Sequence, residues 1–474
     1  MSPVSLPRKV SCVAPASTST AGLQALTSTV NKCAEQWRNA FNFNFNHASD
    51  SDKCAKNLDS STSLAERPAE GAGSPRQMLG TKWKEYAGCN DWEGLLDPLD
   101  ANLRREIIKY GEFVQATYTA MDFDPTSKTY GRCKYSKHSL LAEVGLPSCG
   151  YRVTRHIHAT SGVHVPQWLT SHSDGDATWM SRRTSWVGFV AVCEDPKEIE
   201  RLGRRDIVVT YRGTVTPLEW VENLRDILTP VGTPAGGDAT GRVDCEAKVQ
   251  SGFWRLYTCE DRSGRSASSE VMDEIRRLLK LYEGEEVSIT VTGHSLGAAL
   301  SLLTAYQLGA DSAFRSCKSR RPVPITVFSF GGPRVGNRAF GRRMEEMGSK
   351  VLRVVNAQDV ITRVPGVPML NETSEKELGW AYSHVGRELR VNSKESPYLK
   401  PDADMACCHD LEAYLHLIDG FFSSSTPFRS SAKRDILRLL VNQKSNVLLK
   451  AAKGNCHSGT NNKFRYDADN YARS

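Results

Sequence analysis

Between Glu286 and Ser301 the chain changes abruptly from one kind of element to another. β-prone residues from Val287 to Thr292 run into Gly293, and from Leu296 onward small residues and leucines suit a helix. Ser295 stands at the change, inside Gly293-His294-Ser295-Leu296-Gly297. A serine on so tight a strand-to-helix turn sits in strained backbone with its hydroxyl projecting from the sheet edge, and only glycine-sized neighbours let helix and strand approach that closely. A glycine-flanked turn without chemistry has the same spacing, so the rest of the chain must supply the serine's partners.

Other strands follow the same logic. Trp186 to Val192 and Asp206 to Tyr211 are apolar runs, the second ending in Arg212-Gly213-Thr214. Ile325 to Phe330 leads into Gly331-Gly332-Pro333, and Val351 to Asn356 comes next, with helices after Ser295 and from Asn337 to Met347. Near-continuous apolar strands alternating with helices predict an α/β fold with a mostly parallel central sheet flanked by helices. Active sites of such sheets lie at the carboxyl ends of the strands. Upstream, Asp100 is placed to cap a helix with Leu103, Ile107, Ile108 and Tyr110 on one side, continuing through Phe113, Val114 and Tyr118 and packing on the sheet.

A serine hydroxyl needs a base within hydrogen-bond reach, itself oriented by a carboxylate. On a serine-turn topology the order is Ser, then acid, then His. Asp359 follows the strand ending at Asn356 and is the candidate acid. His409 and His416 are candidate bases seven residues apart, which on one helix share a face. Two turns separate them by about 10 Å, so only the one at the helix start reaches the sheet edge; that is His409. His384 reads as a residue inside a further strand.

The tetrahedral intermediate of acyl transfer needs two donors. The backbone N–H of Leu296, directly after the serine, is one candidate, and Thr214 at the end of an earlier strand is the other. Thr216 and Glu219 then form a capping box with Pro217 at the first helical position. Pro217, Leu218, Trp220, Val221 and Leu224, in a stripe reaching Ile227 and Leu228, predict a lid helix whose apolar face turns toward lipid.

Composition narrows the rest. The net charge of +7 is spread along the chain without a nucleic-acid signature, so no nucleic-acid partner is expected. No apolar run is long enough to span a bilayer, which leaves peripheral contact with membrane glycerolipids. Thirteen cysteines, with Cys407 and Cys408 adjacent, read as free thiols rather than a disulfide framework. His156, His158 and His164 lack a supporting acid or cysteine in their spacing, so no metal site is expected, and ester chemistry needs no cofactor. Residues 1–30 hold ten Ser or Thr, and no acid precedes Glu35. Residues 1–60 therefore read as an organelle transit peptide and disordered leader, for the chloroplast or else the mitochondrion, with a linker over 61–80. The folded domain spans 81–430, and 431–474 forms a C-terminal tail of unknown role. Oligomeric state leaves no trace in the sequence.

These residues resemble the class 3 (fungal-type) lipases, and more closely the plant plastid class I phospholipases A1, the defective-in-anther-dehiscence-like group. The stretches that carry the likeness include Tyr211 to Thr214, Gly293 to Leu300, Phe330 to Asn337, Val355 to Ile361 and His409 to Gly420. The resemblance implies an α/β-hydrolase fold and hydrolysis of the sn-1 acyl ester of glycerolipids, with Ser295, Asp359 and His409 matching the family's triad. Members act variously on phosphatidylcholine, galactolipids and triacylglycerol, and some feed jasmonate synthesis. The same residues would also serve an acyltransferase, with an alcohol in place of water, or a silent interaction protein on the same fold.

Overall fold

A computed structural model of the chain describes residues 79–124, 126–160, 184–213, 228–231, 247–311, 322–365, 382–400, 402–403 and 405–429. The leader, most of the linker, Thr214, the lid residues Pro217 to Leu224, His164 and the C-terminal tail lie outside these residues. The first helix among the described residues, α1 (Leu79–Tyr86), begins inside the stretch read as linker. Its Leu79, Trp83 and Tyr86 are buried at helical spacing, which fixes it to the body of the molecule.

The next helix, α2 (Ala101–Ala120), begins where Asp100 accepts from the backbone of Asn102 and Leu103. Its buried stripe of Leu103, Ile107, Tyr110 and Val114 lies on one face of the sheet, with Tyr110 stacked on Phe328. A short α3 (Leu140–Glu143) follows. Two long strands, β1 (Tyr151–Thr160) and β2 (Thr184–Cys193), then pair antiparallel. Helix α4 (Pro196–Leu202) leads into β3 (Arg205–Tyr211), which pairs antiparallel with β2.

Beyond β3 the sheet is parallel. It runs β3, β6 (Val287–His294), β7 (Ile325–Phe330), β9 (Lys350–Asn356) and β11 (Arg387–Val391), giving the order β1-β2-β3-β6-β7-β9-β11. Alternation along the strands feeds two cores. Val208, Phe328, Phe330, Leu352 and Val354 face α2 and α10 (Leu411–Gly420), whereas Ile207, Val209, Val291, Val327 and Val351 face the opposite layer. That layer comprises α5 (Ser251–Thr258), α6 (Ala267–Leu281), α7 (Leu296–Ala310) and α8 (Arg338–Glu346). Helix α7 is apolar nearly all round and is accordingly buried nearly all round.

A second sheet, β10-β8-β5-β4, is small and antiparallel. Its strands are β4 (Leu228–Pro230), β5 (Lys248–Gln250), β8 (Gly336–Asn337) and β10 (Tyr382–Ser383). Leu228, read from sequence as the last turn of the lid helix, is a strand residue paired with Gln250. Pro230 two positions on lacks the N–H that a helix through Leu228 would need, which is consistent with strand at Leu228. His384 lies between β10 and β11 rather than inside a strand, because Gly386 turns the chain with φ 84°. Among the described residues no helix is long and apolar enough to cross a membrane.

Candidate active site

Four strand ends meet at the carboxyl edge of the parallel sheet: Gly213 after β3, Ser295 after β6, Gly331 after β7 and Asp359 after β9. Ser295 adopts φ 58° and ψ −125°, a conformation that costs a non-glycine residue on the order of 1–3 kcal/mol. The surrounding packing enforces it. A Cβ on Gly293 would stand 2.3 Å from the backbone of Gly297, and one on Gly297 would stand 2.5 Å from the carbonyls of Tyr211 and Arg212. Helix α7 can therefore start against β3 and β6 only with glycine at both places, and the side chain between them is driven outward at the edge.

The structure brings Ser295, His409 and Asp359 into one line. His409 Nε2 lies 2.8 Å from Ser295 Oγ, and His409 Nδ1 lies 2.7 Å from Asp359 Oδ2. Asp359 Oδ2 also accepts the Tyr414 hydroxyl at 2.6 Å, and Oδ1 accepts the Ile361 N–H at 2.9 Å. A carboxylate only accepts, so Nδ1 of His409 carries the proton and Nε2 offers its lone pair to the Ser295 O–H. Ser295, His409 and Asp359 are each at most 5% exposed, which removes water competition from every bond in the line.

The two histidines lie on different helices, not on one as their spacing predicts. His409 ends a five-residue helix, α9 (Met405–His409), and His416 belongs to the separate helix α10. Asp410 divides them: its side chain accepts from the N–H groups of Glu412 and Ala413, which starts α10 afresh. His416 is buried elsewhere, with Nε2 at 2.8 Å from Ser396 Oγ and its ring between Tyr398 and Phe428. His384 is 3.1 Å from Arg353 and held down to about 3 by burial and by the Arg353 and Arg334 charges, so it stays neutral.

Leu296 is the first residue of α7, so its N–H is among the four that have no acceptor within the helix. Gly213, the residue before Thr214, lies directly against the serine: a Cβ there would be 3.0 Å from the Ser295 Cβ. Four residues at the site carry no local signal that the sequence reading used. Asn356 donates its side-chain amide to the Cys408 carbonyl, and its N–H goes to the Tyr414 hydroxyl that bonds Asp359. Tyr118, read only as a packing residue of α2, and His294, inside the motif itself, are linked at 2.8 Å. Among the described residues no group of three or more His, Cys, Asp or Glu is placed to hold a metal ion. Space does give His158 an acid that sequence spacing did not, since its Nδ1 is 3.5 Å from Glu270.

Residues 208–369 match the Lipase (class 3) family. The chain is 47% identical over 382 residues to the chloroplastic phospholipase A(1) DAD1 of Arabidopsis thaliana, covering 76% of this chain and 81% of that one. It is 42% identical over 397 residues to the chloroplastic phospholipase A1-Igamma1 of Arabidopsis thaliana, covering 81% and 75%. It is also 40% identical over 354 residues to the chloroplastic galactolipase DONGLE of the same organism, covering 72% and 70%. The chain belongs to the plant chloroplastic, class I phospholipase A1 group of the class 3 lipases, and it is a hydrolase of that family.

Proposed function

We propose that the chain releases the sn-1 fatty acid of membrane glycerolipids, with Ser295 as nucleophile, His409 as base and Asp359 as the acid that orients it. The observation that carries this reading is the unbroken hydrogen-bonded line from Ser295 Oγ through the His409 ring to Asp359. Ser295 Oγ attacks the sn-1 carbonyl carbon as its proton passes to His409 Nε2. Asp359 stabilises the imidazolium, and the N–H of Leu296 together with Thr214 receives the oxyanion. Collapse breaks the bond to the glycerol oxygen, which takes the proton from Nε2 and leaves as lysolipid. Water, deprotonated by the same nitrogen, then frees the fatty acid and restores Ser295.

Pro217, Leu218, Trp220, Val221 and Leu224 are proposed to form the lid that meets the lipid surface. Relatives named phospholipase and galactolipase favour phospholipids and galactolipids as substrates, with phosphatidylcholine the phospholipid proposed here. Their chloroplastic designation favours a plastid address carried by residues 1–60, ahead of a folded domain that already includes α1 from Leu79. A fluorescent protein fused to residues 1–60 tests the address, and import into mitochondria alone would refute it. Supply of jasmonate precursors is proposed from resemblance and is tested by jasmonate content in plant cells expressing the chain or its Ser295→Ala form.

The deciding experiment uses phosphatidylcholine and monogalactosyl diacylglycerol with different acyl chains at sn-1 and sn-2. Release of the sn-1 chain by the protein and not by Ser295→Ala is the expected result. Release of the sn-2 chain first, or equal release by both proteins, would overturn the assignment.

A further inference from the structure

His294 makes contacts that the hydrolytic line does not use. Its Nε2 is 2.7 Å from the backbone carbonyl oxygen of His409, its Nδ1 is 2.8 Å from the Tyr118 hydroxyl, and that hydroxyl accepts the Gly213 N–H at 2.8 Å. Chemistry fixes the direction of each bond. A carbonyl only accepts, so Nε2 carries a proton. Burial, reinforced by the His409 ring 4.7 Å away, holds His294 well below the usual histidine range, so it is neutral and Nδ1 is bare. The Tyr118 hydroxyl, pushed upward mainly by burial, keeps its proton and gives it to Nδ1. The chain therefore reads Gly213 N–H to Tyr118 O–H to His294, and His294 N–H to the His409 carbonyl.

The two ends of this chain are the two parts of the site that must be in register. Gly213 follows the strand that leads to Thr214, and it has no room for a side chain: a Cβ would stand 2.3 Å from the Tyr118 hydroxyl. At the other end α9 is too short to hold itself, and its last carbonyls have no partner inside the helix. Asn356 supplies the donor for Cys408 and His294 supplies the donor for His409. The base is thus tied to the sheet from outside its own helix.

We propose that His294 and Tyr118 are positioning residues which, through this one hydrogen-bonded chain, hold the His409 backbone and the Gly213 strand end at fixed separation around Ser295. The proposal rests on the hydrolase reading above. A buried polar pair that merely satisfies itself would make the same contacts, but its removal would lower the folded fraction rather than the turnover of folded molecules.

The test measures kcat and KM on p-nitrophenyl butyrate, a soluble ester that needs no lipid surface, with the folded fraction taken from cooperative unfolding. The full chain is compared with Tyr118→Phe, His294→Leu and His294→Gln. For folded molecules Tyr118→Phe is expected to lower kcat by about tenfold and His294→Leu by about 100-fold, with KM within about twofold, as misplacement without loss of binding requires. His294→Gln can still donate to the His409 carbonyl and should recover roughly tenfold of the Leu loss. Unchanged kcat per folded molecule in Tyr118→Phe, or equal losses in the Gln and Leu forms, would overturn the proposal. Tyr118→Phe keeps its ring packing and so carries the test alone if His294→Leu does not fold. A parent chain that hydrolyses no ester contradicts the hydrolase reading instead, and fluorophosphonate labelling rates across the same variants then decide the positioning role.

Discussion

Two buried aspartates sit at opposite ends of the same sheet, and their partners differ in kind. Asp206, at the start of β3, accepts hydroxyls from Tyr110 and Tyr151 on Oδ2 and from Ser288 and Thr290 on Oδ1, all at 2.8–2.9 Å. Arg204 stands behind them, donating to Ser288 at 2.7 Å. Burial pushes the Asp206 carboxyl up, but the Arg204 and Lys109 charges and the hydroxyl donors outweigh it and leave the group below the ordinary aspartate range. Every lone pair is spoken for and every partner is fixed. Asp359 is equally enclosed at 1% exposure, yet one of its partners is a histidine whose far nitrogen points at Ser295. A buried carboxylate becomes chemistry only when its donor has a second, displaceable bond to give.

The contrast predicts a double dissociation. Asp359→Asn is expected to lower kcat by about 10⁴, through loss of the histidine's orientation and tautomer, with little change in unfolding free energy. Asp206→Asn should do the reverse, costing about 3–5 kcal/mol of stability because it removes one of the two buried carboxylates, with Glu106, whose charges act on the buried Arg204, and puts an amide N–H where hydroxyl donors now point. Folded molecules of that variant should turn over at the parent rate, and denaturant titration beside steady-state kinetics measures both. The pH dependence has a defined sign. Since the folded Asp206 carboxyl titrates below its unfolded value of about 3.9, its contribution is complete above that value and is lost as pH falls through the folded one. Asp206→Asn should therefore flatten the acid limb of the stability profile.

Smaller effects sharpen the same contrast. Tyr414→Phe removes one donor from Asp359 and should lower kcat roughly tenfold while leaving the His409 bond in place. His416→Ala should cost about 1–2 kcal/mol of stability by emptying a buried aromatic site, with kcat within about twofold of the parent. A 10⁴-fold loss there, as measured by ester hydrolysis, would transfer the role of base to His416.

Much of the edge chemistry could be read locally, because it depends on short patterns. The change from strand to helix at Ser295, and an acid a few residues past the strand ending at Asn356, are features of the sequence itself. The α/β class follows from apolar runs of strand length, and the topology agrees with it. The antiparallel pairing of β1 with β2 has no local signature, whereas the break at Asp410 does have one, since Asp410 ahead of Leu411 and Glu412 is a helix start. The Asp206 cluster draws its donors from residues 110, 151, 288 and 290, and no local pattern joins them. Tyr118 reaches His294 across 176 positions for the same reason: side-chain partners are chosen by tertiary packing, after the elements are placed.

The most direct test of the division between the two ends is fluorophosphonate labelling with the adduct located by peptide mass spectrometry. The parent chain and folded Asp206→Asn should label at Ser295 at the same rate, and Asp359→Asn should label slower by about 10³–10⁴. No adduct at Ser295 in folded protein, or an Asp359→Asn rate equal to that of the parent, would contradict the account.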